Sequence, residues 1–239
     1  MTALVAYAGA RLFDGERCRD GEALLVRGGR IEALVPDTAI PTPARRVELG
    51  GGILAPGFVD AQVNGGGGVM VCAASTVDDI RAICAAHARL GTTALLPTLI
   101  TDTRAATRGA IAVVEEALRA GVPGCAGLHL EGPFIALARK GAHEAGLIRA
   151  PDDDDLALLL ATSIRPLLVT LAPEVAGLDF IARLAAAGIL VSIGHSDASY
   201  ALCRDAAAAG ARAVTHLFNA QRPLQHRQPR STSPPSTRF

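Results

Sequence analysis

The chain has 239 residues, half of them hydrophobic and 3% aromatic, which excludes a disordered protein and predicts one or two globular domains with an aliphatic core. Lys plus Arg and Asp plus Glu are balanced at 23 each, so no net positive field favours nucleic acid, and no uninterrupted apolar run of about 18 residues predicts a membrane span. Five scattered cysteines without a Cys-x-x-Cys pair, and the lack of a signal-peptide pattern, predict a reduced, cytoplasmic location.

Short strands separated by turns are predicted in residues 1–54. The candidates cover residues 5–7, 23–26, 30–35 and 46–49. The Gly28-Gly29 pair between the second and third candidates is typical of a hairpin turn. The segment therefore predicts a small N-terminal β module as the first domain.

From residue 55 the pattern changes to alternating strands and helices. Strands are predicted at residues 58–63, 93–97, 125–130, 166–171, 190–193 and 213–216, and helices at residues 77–90, 103–120, 152–161, 178–187 and 199–209. Six alternations with apolar strands predict an α/β fold with a parallel sheet. Polar strand ends favour a TIM-type (β/α)8 barrel, whose site lies at the carboxyl ends of the strands. A doubly wound sheet is the alternative, although its phosphate-binding glycine pattern is not clear here.

The predicted barrel is incomplete. A closed eight-fold barrel takes roughly 250 residues, and about 200 at minimum, which is more than the chain offers after residue 54. We therefore expect residues 55–229 to form an incomplete barrel of about six β/α units. Residues 230–239 are rich in Pro, Ser, Thr and Arg without an apolar period, and this composition predicts a disordered tail.

Three polar motifs follow predicted strands: His129-Leu-Glu131-Gly-Pro, Gly194-His195-Ser-Asp and Thr215-His216-Leu-Phe-Asn-Ala. One such Glu or His alone is more often a solvated or structural residue. The carboxyl ends of parallel strands converge, however, so Glu131, His195 and His216 are expected to meet. One carboxylate and two imidazoles suit one Zn²⁺ ion, with Fe²⁺, Co²⁺ and Mn²⁺ as alternatives. Three protein ligands leave a position for water, as in catalytic sites.

Polar residues beside the first and third barrel strands allow two interpretations each. Gln62 and Asn64 share one face at the end of the first strand, and they either contact substrate or water or bond neighbouring loops. His143, in the loop after the third strand, either contacts substrate or is solvated. His129 is more consistent with packing behind the site than with a ligand.

The segment after the last predicted strand has features of an anion site. Asn219, Ala220 and Arg227 lie there, and backbone N–H groups with a guanidinium suit a phosphate. Arg227 equally fits an unstructured basic tail.

Taken together and in order, the motifs resemble the N-acetylglucosamine-6-phosphate deacetylase family of the amidohydrolase superfamily, from about residue 50 to about residue 229. The segments that carry the resemblance are Ala55-Pro-Gly-Phe-Val-Asp60, Gly91-Thr-Thr-Ala-Leu-Leu-Pro-Thr98, His129-Leu-Glu-Gly-Pro-Phe134, Lys140-Gly-Ala-His143, Leu171-Ala-Pro-Glu174, Gly194-His-Ser-Asp197 and Thr215-His-Leu-Phe-Asn-Ala220. The resemblance implies a (β/α)8 barrel with a small β-sandwich built from both chain ends, and a homodimer. Gln62-Val-Asn64, where many amidohydrolases have His-x-His, resembles the subgroup that works with one metal.

The resemblance also implies roles for individual residues. Glu131, His195 and His216 match the metal ligands of the family. The other matches are Ala142 and His143, which contact the sugar and the acetamido group, and Asn219, Ala220 and Arg227, which bind the phosphate. His143 is the candidate for a catalytic role. The implied reaction releases acetate from N-acetylglucosamine 6-phosphate, whereas a different amidohydrolase acting on a cyclic amide and a non-catalytic remnant are the alternatives.

The sequence departs from the family pattern near its end. The catalytic Asp of the family comes from the last barrel strand, and neither that strand nor the C-terminal sandwich strands have a counterpart here. The match stops close to Pro229, which suggests a frameshift or a premature stop, and resequencing of the coding region would decide this. We expect a chain without that Asp to be severely impaired.

Overall fold

The computed structural model describes residues 2–223. The chain divides into two compact units, Met1–Gly57 and Phe58–Phe239, and each has its own buried aliphatic cluster. Two predicted features, Arg227 and the tail at residues 230–239, lie outside the described residues.

The first unit consists of short strands in two sheets. In chain order the strands are β1 (Leu4–Ala8), β2 (Arg11–Phe13), β3 (Cys18–Arg19), β4 (Glu22–Arg27), β5 (Arg30–Pro36), β6 (Arg45–Glu48) and β7 (Ile53–Leu54). One sheet has the order β5-β4-β1-β6 and the other β3-β2-β7. The predicted hairpin is confirmed, because Arg27 pairs with Arg30 across Gly28 and Gly29, whose φ angles are 57° and 76°. Positive φ at both positions matches the twist of a two-residue hairpin.

The second unit is built around a sheet of six parallel strands. Its strands are β8 (Phe58–Val63), β9 (Gly65–Gly66), β10 (Val69–Met70), β11 (Thr92–Ile100), β12 (Leu128–Glu131), β13 (Leu167–Leu171), β14 (Leu190–Ile193) and β15 (Ala213–Val214). The order β8-β11-β12-β13-β14-β15 follows the chain, and every pair is parallel. β9 and β10 form a separate small hairpin. The sheet fits the predicted incomplete TIM-type barrel, in which neighbouring strands are consecutive in sequence.

Helices connect these strands. They are α1 (Val77–Ala88), α2 (Arg104–Arg119), α3 (Asp153–Ala161), α4 (Pro173–Ala176), α5 (Leu178–Ala186) and α6 (Tyr200–Ala209). Four of them begin after a side chain that accepts a backbone N–H of the first turn, namely Thr76, Thr103, Asp152 and Ser199. Within the described residues, every helix is too short or too polar to cross a membrane.

Two of the strand boundaries that differ from the prediction lie close to the predicted ligands or in the strand that carries one. The third barrel strand begins at Leu128 instead of residue 125, because Cys125 makes only an isolated bridge to Leu95. The last strand ends at Val214 instead of His216, whose φ of 54° is left-handed and takes the chain out of the extended conformation. The second difference places His216 in the loop beyond the strand.

Asp155, at the amino end of α3, binds two arginines. Its side chain is only 4% exposed and accepts hydrogen bonds from Arg104 Nε and Arg149 Nη2, both at 2.7 Å. Burial opposes the charge of this carboxylate, but the two guanidinium groups and the Asp152 backbone N–H hold its pKa below the usual range. A carboxyl group with a lowered pKa in the folded state stabilises the fold above its unfolded pKa, near 4, and this contribution is lost as the pH falls further.

We therefore expect Asp155→Asn to lower the free energy of unfolding at neutral pH by about 1–2 kcal/mol. This is less than for a fully buried ion pair, because the side chains of Arg104 and Arg149 are 30% and 34% exposed and water screens their interaction with Asp155. Urea unfolding at pH 7 and at about pH 3 should show a smaller deficit of the variant at the lower pH, because that pH lies below the unfolded pKa of the carboxyl group. Asp179→Asn, at a side chain that is 87% exposed, is the control. An equal deficit at both pH values would contradict the role of the Asp155 charge.

Candidate metal centre

The alternation of side chains along β12 places Glu131 on the face of the sheet opposite the aliphatic cluster. Leu128 and Leu130 belong to the aliphatic cluster of the second unit, whereas His129 and Glu131 point to the opposite face because side chains alternate along a strand. Glu131 is the last residue of β12 and only 3% of it is exposed. Its carboxylate is therefore held at the carboxyl end of the sheet, out of solvent.

His195 and His216 reach the same place from the ends of β14 and β15. Each follows its strand after one intervening residue and has a left-handed φ, 47° for His195 and 54° for His216. Such a conformation costs a residue with a side chain about 1–2 kcal/mol. In residues 2–223 the other non-glycine residues with positive φ are Phe218 and Ala220, a few positions further on. Strain of this kind typically concentrates at functional sites.

The three side chains meet at one carboxylate oxygen. His195 Nε2 lies 3.2 Å and His216 Nε2 2.8 Å from Glu131 Oε1. One ligand atom from each residue lies within 4.8 Å of the others, and among the described residues this is the group of His, Cys, Asp and Glu that could hold a metal ion. The predicted convergence of these residues is thus present, and it brings one oxygen and two nitrogens from three separate strands together.

The hydrogen bonding of His195 indicates that a cation belongs in this group. Its Nδ1 lies 2.7 Å from the Arg139 carbonyl oxygen, which can only accept, so Nδ1 carries a hydrogen. In the neutral ring, Nε2 then carries no hydrogen, and its lone pair faces the Glu131 carboxylate. Two acceptors face each other, which is favourable only with a proton or a metal ion between them. Burial lowers the pKa of His195, but the hydrogen bonds to Glu131 and to the Arg139 carbonyl, with the charge of Glu131, together outweigh burial and raise the pKa above the usual value.

Glu131 is ionised because its neighbours stabilise the negative charge of its carboxylate. Burial favours its neutral form, but hydrogen bonds from His195 and Gln62 and the charges of the neighbouring histidines lower its pKa to about 2. Gln62, predicted from sequence to lie near the site, therefore contacts the carboxylate directly. An ionised carboxylate and two imidazoles are a donor set that fits a divalent transition metal ion.

The loop that carries His195 is fixed by contacts distant in sequence. The backbone N–H of Ala136 donates to the His195 carbonyl oxygen at 2.8 Å. The Arg139 guanidinium donates to Asp197 Oδ1 at 2.7 and 2.9 Å, while its own carbonyl holds the His195 ring. Glu174 accepts from the Ser196 hydroxyl at 2.7 Å and from the Asp197 backbone N–H at 2.5 Å. The position of His195 therefore depends on Arg139 and Glu174, to which the sequence alone assigned no role.

Glu174→Ala should weaken metal binding without unfolding the protein. The side chain holds the residues next to His195 but does not reach the ligand atoms, so we expect a loss of metal affinity of roughly 10–100-fold, as for other groups that orient a ligand. Competition with a chromophoric chelator measures the affinity, and a thermal melt checks the fold. Glu116→Ala, on α2, is the control, and an unchanged affinity in Glu174→Ala would contradict this role.

His129 lies behind the ligands, in a buried polar layer. It is fully buried, and its Nε2 lies 2.7 Å from Thr170 Oγ1. Thr170 Oγ1 in turn lies 2.7 Å from Thr215 Oγ1, which is 2.7 Å from Ser192 Oγ. Burial lowers the pKa of His129 to about 4, so the ring is neutral at pH 7. This chain of hydrogen bonds links β12, β13 and β14 to Thr215, the residue that precedes His216.

A cavity of about 760 Å³ opens above the three ligands. Of the residues predicted to contact substrate, the structure places the following in its wall: Gln62, Asn64, Ala142, His143, Asn219 and Ala220. His143 is 4% exposed, and its Nε2 lies 3.7 Å from Glu131 Oε2. Burial lowers the pKa of His143, and His195 lowers it further. Asn64 Nδ2 is buried without a hydrogen-bond partner within residues 2–223, so this donor is available to a ligand or to water.

The turn after β15 has less free hydrogen-bonding capacity than expected. The Asn219 backbone N–H donates to the His216 carbonyl at 2.6 Å, and that of Ala220 donates to Asn219 Oδ1 at 2.9 Å. An anion at Ala220 would therefore have to replace the Asn219 side chain. Arg222 also lines the cavity, and sequence reasoning did not identify it because a single arginine after a strand has no distinctive pattern.

The chain has relatives of known activity. It is 40% identical over 181 residues to the N-acetylgalactosamine-6-phosphate deacetylase of Shewanella sp. (strain ANA-3), covering 76% of this chain and 46% of that protein. It is 40% identical over 245 aligned residues to the human N-acetylglucosamine-6-phosphate deacetylase, covering 93% of this chain and 58% of that protein. The chain spans about half the length of the curated relatives it matches. No protein-family model matches it.

A solved structure agrees with these relatives. The crystal structure of N-acetylglucosamine-6-phosphate deacetylase from Pasteurella multocida superposes with a TM-score of 0.89 at 33% identity, over 94% of this chain and 60% of that chain. The high TM-score indicates that this chain has the fold of the corresponding part of that enzyme.

Proposed function

Because the chain belongs to the N-acetylglucosamine-6-phosphate deacetylase family, we propose that its cavity binds one divalent metal ion and N-acetylglucosamine 6-phosphate. The proposed reaction is hydrolysis of the acetamide to glucosamine 6-phosphate and acetate. The observation that carries the proposal is the meeting of His195 Nε2 and His216 Nε2 at one oxygen of a buried, ionised Glu131. This donor set lies at the floor of a cavity large enough for a sugar phosphate.

Glu131, His195 and His216 would hold the metal ion in this proposal. Zn²⁺ suits one carboxylate and two imidazoles best, with Fe²⁺, Co²⁺ and Mn²⁺ as alternatives. When bound, such an ion supplies Lewis acidity for activating water and polarising a carbonyl. The Arg139 carbonyl keeps a hydrogen on His195 Nδ1 and so leaves Nε2 free to bind.

Other residues of the cavity would bind and orient the substrate. His143 would donate a hydrogen bond to the acetamide oxygen, and the free amide of Asn64 would contact the sugar or a water molecule. The phosphate would lie against Asn219 and Ala220, with the Ala220 N–H exchanging Asn219 Oδ1 for a phosphate oxygen. Arg227 is proposed for the same anion from the family resemblance alone.

Proton transfer needs a group that the described residues do not offer. Among residues 2–223, Glu131 is the one carboxylate in the cavity wall, and it is bound by both histidines. Amide hydrolysis requires a base for the attacking water and an acid for the leaving amine, and the family resemblance assigns this to an Asp on the last barrel strand. The homodimer and the cytoplasmic location stay predictions.

Calorimetric titration of the zinc-loaded protein tests the substrate assignment. N-acetylglucosamine 6-phosphate should bind, whereas N-acetylglucosamine and glucosamine 6-phosphate should each bind at least about tenfold more weakly, since each lacks one recognised group. N-acetylgalactosamine 6-phosphate tests whether the C4 configuration matters, a question that the Shewanella relative raises. Equal binding of all these sugars would contradict the proposal, and preferential binding of a cyclic amide would favour the other amidohydrolase class.

A further inference from the structure

His143 and His195 are buried side by side but have opposite hydrogen-bonding environments. Their ring centroids are 4.5 Å apart, and both face Glu131. We propose that Thr101 is a positioning residue that holds His143 with its hydrogen on Nε2, opposite to His195, so that His143 serves the cavity as a hydrogen-bond donor and not as a fourth metal ligand. The use of this donor rests on the proposed function, whereas the protonated position of the ring does not.

The contacts at His143 Nδ1 determine which nitrogen carries the hydrogen. The Thr101 backbone N–H points at Nδ1 from 3.3 Å, and the Thr101 hydroxyl oxygen lies 2.7 Å from the same atom. A backbone N–H can only donate, so a hydrogen on Nδ1 would face another hydrogen. Nδ1 is therefore the acceptor, and the neutral ring carries its hydrogen on Nε2.

The direction of the Thr101 hydroxyl agrees with this assignment. Within residues 2–223, the other acceptor recorded for that hydrogen is the Glu131 carbonyl oxygen at 3.5 Å, which is the outer limit of a hydrogen bond. The contact to His143 Nδ1 is 0.8 Å shorter, so the hydroxyl donates to the ring. Thr101 is 5% exposed and His143 4%, and at such burial an unsatisfied nitrogen would be costly.

The neighbouring chain makes room for the hydroxyl. Gly132 has a φ of 83°, and a Cβ placed on it would overlap Thr101 Oγ1. The glycine that follows Glu131 therefore permits the Thr101 hydroxyl to reach His143. Glu131 and Gly132 are consecutive, so the same strand end supplies a metal ligand and leaves room for the Thr101 hydroxyl that orients His143.

His195 shows the opposite arrangement for a clear chemical reason. Its Nδ1 faces a carbonyl oxygen at 2.7 Å, so its Nε2 presents a lone pair to the metal position. His143 Nε2 presents a hydrogen instead, and a protonated nitrogen has no lone pair for a metal. Glu131 Oε2 is 3.7 Å away, too far for a hydrogen bond. The His143 donor is thus free for an acceptor that the ligand brings, such as the oxygen of an amide carbonyl.

Nitrogen NMR of the protein labelled with 15N-histidine tests the assignment directly, without substrate. Spectra are recorded at about pH 8, where a histidine is neutral, with and without Zn²⁺. The signals lost in His143→Gln identify residue 143. We expect a protonated Nε2 and an unprotonated Nδ1 in both conditions. A protonated Nδ1, or averaged shifts from two exchanging forms, would overturn the proposal.

Two substitutions test whether Thr101 is the group responsible. Thr101→Ser keeps the hydroxyl and should leave the His143 signals unchanged. Thr101→Val removes it and should shift both nitrogen signals toward averaged values, while the other histidine signals report an intact fold. Unchanged His143 signals in Thr101→Val would overturn the role of the hydroxyl. If Thr101→Val fails to fold, the wild-type shifts still decide the protonated position and Thr101→Ser still decides whether a hydroxyl suffices.

His143 variants then connect the protonated position with substrate binding. The amide of Gln reaches the place of Nε2, whereas that of Asn does not, so His143→Gln should bind N-acetylglucosamine 6-phosphate at least about tenfold more tightly than His143→Asn. Both variants should retain one zinc ion per chain. Loss of zinc from both would show His143 to be a ligand and would overturn the proposal, whereas failure of sugar binding in every form, with the expected nitrogen shifts, would count against the proposed function alone.

Discussion

Glu131→Ala is expected to abolish stoichiometric metal binding. The Glu131 oxygen that both Nε2 atoms approach, at 3.2 and 2.8 Å, is the only charged donor of the group. Without it, two neutral imidazoles remain, and a site of two ligands does not hold a divalent ion against water. We expect a loss of affinity that exceeds the roughly 10–100-fold observed when a group behind a ligand is removed. Metal content per chain after gel filtration, by mass spectrometry, is the measurement.

Glu144→Ala is the matched control for this experiment. Glu144 follows His143 in the same loop and is exposed, and among residues 2–223 its side chain accepts only from the Gly146 backbone N–H. Its removal deletes one negative charge close to the cavity but no ligand, so it should keep the wild-type metal content. One metal ion per chain in Glu131→Ala would contradict the proposed ligand set.

Gly132→Ala is expected to have the largest effect on stability. The residue has a left-handed φ of 83°, and the added methyl group would collide with the Thr101 hydroxyl in a buried place. The left-handed conformation costs about 1–2 kcal/mol and overpacking about 1–3 kcal/mol, so the free energy of unfolding should fall by about 2–5 kcal/mol. Urea unfolding measures it, and metal affinity should fall with it because Gly132 follows Glu131.

Gly121→Ala separates the two contributions. Gly121 also has a left-handed φ, 63°, but nothing lies within 4 Å of an added Cβ. This control should therefore show only the conformational cost, about 1–2 kcal/mol. Thr101→Ala in the Gly132→Ala background should recover part of the loss, since it removes the colliding atom. Equal losses for the two glycine variants would show that the contact with Thr101 has no energetic consequence.

The main elements of the second unit could be predicted because their signals are local. Apolar runs identified the six parallel strands, and residues such as Thr103 and Ser199 identified the beginnings of helices. The meeting of Glu131, His195 and His216 followed from one rule, that the carboxyl ends of parallel strands converge. That rule does not depend on the loops, so it held even though the last strand ends two residues early.

The supporting contacts could not be predicted because they join distant parts of the chain. The Arg139 carbonyl and His195 are 56 residues apart, and Glu174 and Ser196 are 22 apart. No periodicity or capping pattern relates such pairs, and their distance depends on how loops from neighbouring strands pack. The same holds for Thr101 and His143, 42 residues apart. The ligand types were thus visible in the sequence, whereas the groups that orient them became visible only in three dimensions.

The opposite hydrogen-bonding environments of His143 and His195 explain how Glu131 can bind a single metal ion although three imidazoles lie close to it. His195 and His216 approach Glu131 Oε1, and His143 lies near Oε2 at 3.7 Å. Groups of opposite hydrogen-bonding role face Nδ1 of the two buried rings, the Arg139 carbonyl at His195 and the Thr101 hydroxyl and backbone N–H at His143, and they give the rings different functions. The difference therefore arises from these neighbours and not from the residue type, which is histidine at both positions.

Anomalous diffraction from crystals of the zinc-loaded protein shows directly which side chains hold the ion. We expect one strong peak at the zinc edge, about 2.0–2.2 Å from a Glu131 carboxylate oxygen and from Nε2 of His195 and His216, with His143 outside this distance. A peak bound by other side chains, or no peak at these three residues in fully loaded protein, would contradict it.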